Sequence, residues 1–584
     1  YKQPLRVVRP IKNLREMLEG SVAEFKDRDA FLLKPVKGEP YAPVSYEQFG
    51  QDVHNFGTGL YHMGIDNKQR VAILAETRYE WYVSYLSIVN CAGVVVPLDK
   101  ELSVPELRNM LTSAKVTAVI YSPKLRESAI EATKDIPTLK FMVQMDKFED
   151  SEEIRTLQTQ GPRMLESLGV EESAWSNVMA DGKQRIEQGD NIFLTYPIDP
   201  DEMRILLFTS GTTDKPKAVM HSHGTISANL VGMCEMTEVG GDTCLSILPL
   251  HHTYECTCGY LCQIYRGDTI AYCEGLRHIT DNLKESETSL LLAVPLILET
   301  FHKRIWKNID KQGARKKVNF ALGLSRFLMK LGIDVRKKLF KDIHEAMGGH
   351  MRLIIAGGAA IDPKILKDFN DFGFLAIQGY GLTECGPILA LNRDIDYKNE
   401  SAGQPLPGTA VKVLNPDENG IGEFIGKGPN IMLGYYGDEA KTQEVLQDGW
   451  FHTGDLGYID DDGFVIITGR KKNVIVTKNG KNVFPEELEF LLKKHTEVAE
   501  AVVSGAPDNR GDTQVVVEIF PNKEEMESIL GKKDPSREEV QAHMEALVKE
   551  VNHQVSDYKA MRNVTIRDED FVRNTSKKVV RSKN

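Results

Sequence analysis

The chain has 584 residues, 41% hydrophobic and 27% charged, with a net charge of −12. That length exceeds what one hydrophobic core supports, so at least two domains are expected, and the acidic balance argues against general nucleic-acid binding. The longest strongly apolar run, 290–298, contains Pro295 and is too short to span a bilayer. The first residues carry Lys2, Arg6 and Arg9 and no apolar signal-peptide core, and eight cysteines in so long a chain do not read as a disulfide scaffold. A cytoplasmic, reducing setting is the expectation.

In chain order, residues 70–75 (RVAILA) read as a buried strand, the amphipathic run to Asn90 as a helix, and 93–98 (GVVVPL) as a second strand. Residues 105–114 are helical and 117–121 (TAVIY) form a third strand. Repeated βα units with apolar strands predict a parallel sheet covered on both faces. Residues 147–200 are acidic and irregular and are expected to form a surface excursion.

The apolar run 205–208 then feeds directly into Thr209-Ser210-Gly211-Thr212-Thr213, followed by Lys215 and Lys217. Four hydroxyls, a glycine and two ammonium groups are the composition of a loop that wraps a polyphosphate, although the spacing is not that of a Walker A loop. Cys234, Cys244, Cys256, Cys258, Cys262 and Cys273 cluster near His251 and His252. No paired CxxC is present, so buried thiols in a core or ligand pocket are expected ahead of a metal site.

Residues 301–342 hold thirteen Lys or Arg against three Asp or Glu, a local charge of +10, interleaved with Phe320, Leu322, Leu324, Phe327, Leu328, Met329 and Leu331. Such a segment is either a solvated helical pair with a packed inner face or a surface that meets an anionic partner. A small α/β domain is expected at the C-terminus. Residues 473–477 read as a strand, Pro485 opens a helix, 498–504 and 514–520 are strands, and Asp534-Pro535 begins a helix with Val540, Met544, Leu547 and Val551 on one face.

Further motifs follow the phosphate loop. They are Gln378-Gly379-Tyr380-Gly381-Leu382-Thr383-Glu384, read as following a buried strand, then Gly403-Gln404-Pro405-Leu406-Pro407-Gly408, Gly422-Glu423, Gly428-Pro429-Asn430-Ile431-Met432, Gly434-Tyr435-Tyr436, Thr453-Gly454-Asp455, Arg470, and Lys578-Val579-Val580-Arg581. In this order and at these separations the set resembles the adenylate-forming superfamily of acyl-CoA synthetases, luciferases and peptide-synthetase adenylation domains. Residues 293–305, the helical insert that leads to 353–363, and residues 468–489 resemble the bacterial AMP-forming long-chain fatty acyl-CoA synthetases more closely.

The resemblance implies an α/β fold with a large N-terminal domain of βα-layered sheets, residues 1–469, carrying the basic insert at about 301–348. A hinge at 470–472 and a small mobile C-terminal α+β domain, 473–584, complete it, with the active site at the domain interface. The implied reaction is attack of a fatty, long-chain carboxylate on the α-phosphorus of ATP, followed by transfer of the acyl group to coenzyme A. An acyl-carrier protein as acceptor, or a medium-chain or aromatic acid as substrate, stays open. Residues 301–342 would then meet an anionic membrane on its cytoplasmic face or an acidic carrier protein.

The same resemblance assigns residues. Thr209, Ser210, Gly211, Thr212, Thr213 and Lys217 would clamp the phosphates, Thr383 would sit beside the α-phosphate, and Glu384 would hold Mg2+. Gly358 and Ala359, after Gly357, would wall the adenine opposite Tyr380, beside Gln378. Asp455 and Arg470 would hold the ribose, or else form a structural ion pair. Lys578, or its neighbour Lys577, would bridge carboxylate, ribose and α-phosphate. Lys472 would be the pivot, Gly480 would leave room for the pantetheine arm, and His252 would gate the acyl pocket or be a satisfied core histidine. Asp214 stands where the family usually has glycine. It tolerates left-handed backbone but adds a negative charge beside pyrophosphate.

Overall fold

In a computed structural model, residues 1–36, 38–149, 151–209, 216–477, 481–508, 511–573 and 579–581 are described. The chain divides into two compact units, Tyr1–Ala410 with Lys427–Gly449, and Val411–Gly426 with Trp450–Asn584.

The first unit is built on two nine-stranded sheets of the described residues. In one, Arg70–Leu74 lies between Val94–Leu98 and Ala118–Tyr121, parallel to both. Apart from the half-buried Arg70 these strands are apolar and buried because helices cover both faces, so no alternation is needed. Met203–Thr209 joins parallel to Val94–Leu98 and turns back antiparallel into Lys217–Ser222, which in turn pairs with Gly434–Tyr435. In the other sheet Leu290–Ala293, Leu353–Ala356 and Leu375–Gly381 run parallel, and Ile388–Leu391 returns antiparallel. The strand expected before Gln378 therefore contains Gln378-Gly379-Tyr380-Gly381 rather than preceding it. In open sheets of this kind, ligands collect at the carboxyl ends of the parallel strands, and both phosphate-loop and YGLTE motifs leave from such ends.

Residues 147–200 are not an irregular excursion. Val170–Ala174 pairs parallel with Phe141–Gln144 and extends the first sheet, with helices Glu152–Gln160 and Trp175–Glu187 on either side. Helix Trp175–Glu187 packs so closely on Tyr46–Met63 that a Cβ at Gly182 would lie 1.8 Å from the Asn55 carbonyl oxygen. The strand was hidden by its acids. Glu172 is fully buried, yet Arg163 Nε donates to it at 2.7 Å, and Arg126 lies 3.3 Å away. A buried carboxylate is tolerated when it is paired in this way.

The basic segment forms helices Pro295–Lys311, Arg315–Lys330, Arg336–Leu339 and Lys341–Ala346. Their inner side contributes Phe301, Ile305, Ile309 and Leu322 to a core shared with Pro363–Phe372. The cysteines are buried thiols, apart from a half-buried Cys273. No helix among the described residues is long and apolar enough to cross a membrane.

The second unit contains the antiparallel strands Gly422–Lys427, Trp450–Ile459 and Val465–Arg470. It also contains a three-stranded sheet of Val498–Pro507, Thr513–Pro521 and Met561–Ile566, backed by helices Pro485–Lys493 and Arg537–Asn552. The last helix is capped by Ser536 and Glu539 in a reciprocal box. Only Ile475–Val476 of the expected strand at 473–477 is extended, because the polar residues Lys471–Asn473 form a 3-10 turn. Helix Lys523–Leu530 and strand Met561–Ile566 were not anticipated.

Candidate active site

Thr209 and Lys217 are the facing residues at the loop end of the hairpin formed by Met203–Thr209 and Lys217–Ser222. Both are half-buried. Ser210, Gly211, Thr212, Thr213, Asp214 and Lys215 lie outside the described residues, between these two anchors. The Lys217 ammonium sits 5.1 Å from the centre of the Tyr435 ring, within cation–π range. The Tyr435 hydroxyl in turn donates to Glu384 Oε1 at 2.8 Å. Burial, and then the negative charge of Glu384, raise the Tyr435 hydroxyl far above its ordinary pKa, so it stays a donor.

Glu384 is nine-tenths buried in the short 3-10 turn Thr383–Cys385. That turn is held from several sides. Met432 N–H donates to the Glu384 carbonyl at 2.8 Å. Asn229 Nδ2 donates to the carbonyls of Cys385 and Ile388, each at 2.9 Å, and Asn430 reaches the same two oxygens at 3.3 and 2.8 Å. His221 Nε2 donates to the Thr383 carbonyl at 2.7 Å. Burial pushes the His221 imidazole down to about 4, so it is neutral at neutral pH, with Nδ1 3.0 Å from the Thr225 hydroxyl. The phosphate-loop hairpin of one sheet and the Thr383-Glu384 turn of the other are thereby locked together.

Before the turn, Gly381 passes so close to the returning strand that a Cβ there would meet the Pro387 carbonyl oxygen at 1.9 Å. The register shifts at this point, between Tyr380 and Gly381, as expected where glycine allows a bulge and close backbone approach. Tyr380 is buried on the strand, paired with Ala390. Gln378 Nε2 donates to the Asn399 carbonyl at 3.0 Å. Parallel to this strand, Leu353–Ala356 ends in Gly357-Gly358-Ala359, of which Gly358 has φ +84 and is exposed, as is Ala359.

His252 closes the turn after Thr243–Ser246, with its ring centre 5.2 Å from that of His251. It leads into Tyr254–Leu261, a stretch of π-helix, a rare conformation frequent at functional sites. Tyr254 donates to the Ile355 carbonyl at 2.8 Å, and its ring lies where a Cβ on Gly357 would come within 2.7 Å. The histidine segment and the Gly357-Gly358-Ala359 turn are thus neighbours. By contrast, His223 is a core histidine, receiving Leu14 N–H at 3.0 Å and donating to the Val89 carbonyl at 2.9 Å.

In the second unit, Asp455 and Arg470 are register partners on adjacent strands, and Arg470 Nε lies 2.9 Å from Asp455 Oδ1. Asp455 is buried; Arg470 is exposed. The turn before Asp455 is shaped by Glu423, which accepts from Gly454 N–H at 3.1 Å and pairs with Lys471 at 2.8 Å. Burial opposes ionisation of Glu423, but Lys471 and the Gly454 N–H hold its carboxyl below the usual range. Lys472 is exposed in the Lys471–Asn473 turn. Gly480, Lys577 and Lys578 lie outside the described residues. The flanks of the two lysines are anchored. Arg573 pairs with Glu500 at 2.9 Å, and Arg581 grips both oxygens of Glu489 at 2.6 Å and donates to the Val503 carbonyl at 2.8 Å.

Among the described residues no group of three metal-ligating side chains occurs, so Glu384 offers a single carboxylate. Sequence reasoning missed the supports: His221, Asn229 and Glu423 had no assigned role, and Tyr435 and Asn430 were only letters in a motif. Glycine-tyrosine and glycine-glutamate pairs were visible, but partners 31 to 162 positions away were not.

Polar segments at the carboxyl ends of strands in two mixed sheets, one rich in hydroxyls and lysine and the other presenting a buried carboxylate, define a nucleotide-binding α/β enzyme. The chain belongs to the AMP-binding enzyme family, which matches residues 18–436, with the AMP-binding enzyme C-terminal domain matching residues 472–584. It is 28% identical over 490 residues to long-chain-fatty-acid–CoA ligase 6 of Mus musculus, covering 80% of this chain and 68% of that one. It is 26% identical over 577 residues to the chloroplastic long-chain-fatty-acid–[acyl-carrier-protein] ligase AEE15 of Arabidopsis thaliana, covering 89% and 77%. The fold is shared with the anthranilate CoA ligase AuaEII, solved in complex with anthranoyl-AMP, with a TM-score of 0.74 at 17% identity over 99% of this chain and 96% of that one.

Proposed function

We propose that the protein is an AMP-forming acid–thiol ligase that activates a long-chain fatty carboxylate with ATP and passes the acyl group to coenzyme A. The observation that carries this reading is the lock between the phosphate-loop hairpin and the Thr383-Glu384 turn through His221, Tyr435 and Lys217. It brings the Lys217 ammonium and the Glu384 carboxylate onto the same tyrosine, and these are charge types that a triphosphate with its cation requires.

In the first half-reaction a carboxylate oxygen bonds to the α-phosphorus and the bond to the β-phosphate bridging oxygen breaks, releasing pyrophosphate. Lys217 and the hydroxyls from Thr209 to Thr213 would stabilise the charge arriving on that leaving group, the main catalytic resource in such a step. Magnesium, when bound with the nucleotide, would mask phosphate charge, and Glu384 would be its protein ligand, oriented by Tyr435. Tyr380 and the Gly357-Gly358-Ala359 turn would hold adenine beside Gln378, and Asp455 with Arg470 the ribose. Lys578 would supply the cation that bridges acid and α-phosphate. In the second half-reaction the thiol sulfur bonds to the acyl carbon and the bond to AMP breaks. Division at residues 470–472, with rotation about Lys472, would exchange Lys578 for the segment containing Gly480, and His252 would gate the acyl entrance.

Pyrophosphate release with a panel of acids, with and without coenzyme A, tests the reading. A second reading, loading of an acyl-carrier protein, is favoured by the name of the Arabidopsis relative. Pyrophosphate release without coenzyme A conjugation, but with acylation of a carrier protein, would select it.

A further inference from the structure

His251 faces a carboxylate that comes from the other sheet. Its Nε2 lies 3.4 Å from Oδ2 of Asp99, and the two side chains are 15% and 9% exposed. Asp99 directly follows strand Val94–Leu98, and its other oxygen, Oδ1, accepts from Glu101 N–H at 2.9 Å, which fixes the carboxylate. Val94–Leu98 runs parallel to Met203–Thr209 with Val95 opposite Ile205. Counting on along both strands brings Asp99 level with Thr209, where the phosphate loop begins, and neighbouring strands are about 4.8 Å apart. The Asp99–His251 pair therefore stands beside the phosphate-loop anchor on one side. On the other is His252, with 5.2 Å between the ring centres.

Two other histidines near these strand ends are engaged elsewhere. His221 is held by the Thr383 carbonyl and the Thr225 hydroxyl, and His223 by Leu14 and Val89. His251 turns Nε2 to Asp99, and among the described residues its Nδ1 makes no hydrogen bond. Burial, joined by Lys100 and opposed by Asp99 and Glu101, holds the imidazole below its ordinary 6.5, so it is neutral at neutral pH. A neutral imidazole backed by a carboxylate is the arrangement of a general base. Acyl transfer to coenzyme A needs one, because a thiol with an ordinary value of about 8.5 is only a few per cent thiolate near pH 7. We propose that His251 is the base that takes the thiol proton in acyl transfer and that Asp99 positions it, an inference that rests on the acid–thiol ligase reading. The S–H proton passes to Nδ1 as the sulfur bonds to the acyl carbon. The bond from that carbon to the AMP oxygen breaks, and its electron pair leaves with AMP. Asp99 stabilises the imidazolium through Nε2–H, and the ring then gives its proton to water.

The two half-reactions separate this proposal from the ligase reading. Pyrophosphate exchange with a long-chain fatty acid involves no thiol and tests the reading. Single-turnover transfer from preformed acyl-AMP to coenzyme A tests the base. In the unmodified protein, transfer should be level from pH 6.5 upward and fall only below that, as His251 takes up a proton. His251→Gln should slow transfer about a hundredfold near pH 7, within the range that a general base contributes, while exchange falls far less. That deficit should shrink steeply by about pH 9, where most of the thiol ionises unaided. Asp99→Asn should show a smaller deficit with the same alkaline recovery. A packing role for His251 would instead give a loss that is equal near pH 7 and pH 9 and is shared by exchange, and that result overturns the proposal. So does unchanged transfer in His251→Gln. So does transfer by the unmodified protein that climbs about tenfold per pH unit between about pH 6 and pH 8, as the free thiolate does. Absence of exchange in the unmodified protein removes the ligase reading and the proposal with it.

Discussion

Glu384 and its neighbours are where single substitutions speak most clearly. Replacing Glu384 by Gln keeps the volume and the Tyr435 contact but removes the charge that would hold the cation, so adenylation should fall about 100- to 1,000-fold with the fold intact. Tyr435→Phe removes only the 2.8 Å hydrogen bond that orients that carboxylate, and should cost about tenfold, as one lost hydrogen bond to a charged group does. Equal rates in either variant, measured by pyrophosphate exchange, would contradict these roles. His221 gives a pH signature. Burial lowers its folded pKa from 6.5 to about 4, so the unfolded chain binds the proton first as pH falls. Its contribution is complete above the unfolded value and drains away toward the folded one. Between about pH 7 and pH 5 the protein should lose about 2 kcal/mol more in urea unfolding than the His221→Asn variant does; parallel losses would refute this. Asp214 lies outside the described residues; if the loop clamps pyrophosphate as proposed, its carboxylate would add a negative charge there, and Asp214→Gly should lower the Michaelis constant for ATP, an unchanged or higher value counting against it.

At the scale of elements, the bulge at Gly381 is the most sensitive joint. A methyl group there would need the space of the Pro387 carbonyl oxygen, so Gly381→Ala should cost about 3 kcal/mol of stability and displace Thr383 and Glu384. A variant with an unchanged melting temperature and unchanged pyrophosphate exchange would contradict the close approach. The strands at 70–75, 93–98 and 117–121 were legible because they are largely apolar and separated by helices, although the first of these helices, Tyr79–Val89, is buried on every side rather than amphipathic as expected. Val170–Ala174 was not, because Glu172 looks like a surface residue until Arg163 and Arg126 are seen to reach it from other elements. Periodicity reports burial through apolarity, and a paired buried charge defeats it. The π-helix at Tyr254–Leu261 was equally invisible, since no local pattern distinguishes it from an α-helix.

For the whole molecule, the candidate site was legible as an ordered set of motifs, and the proposed reaction followed from the family those motifs resemble. What the motifs could not say is how the set is held. The His221, Asn229 and Asn430 contacts join positions far apart in the chain, and only folding brings them together. The basic insert was legible as charge, but the split between its packed inner face and its exposed Phe320–Phe327 stripe needed the helix itself. The central claim is that the locked loops form an acyl-adenylating site serving coenzyme A. Acid-dependent exchange of labelled pyrophosphate into ATP, followed by addition of coenzyme A, tests it most directly. Exchange with a long-chain fatty acid is expected in the absence of coenzyme A, and acyl-CoA with AMP once coenzyme A is added. Absence of exchange with every acid in the panel would contradict it.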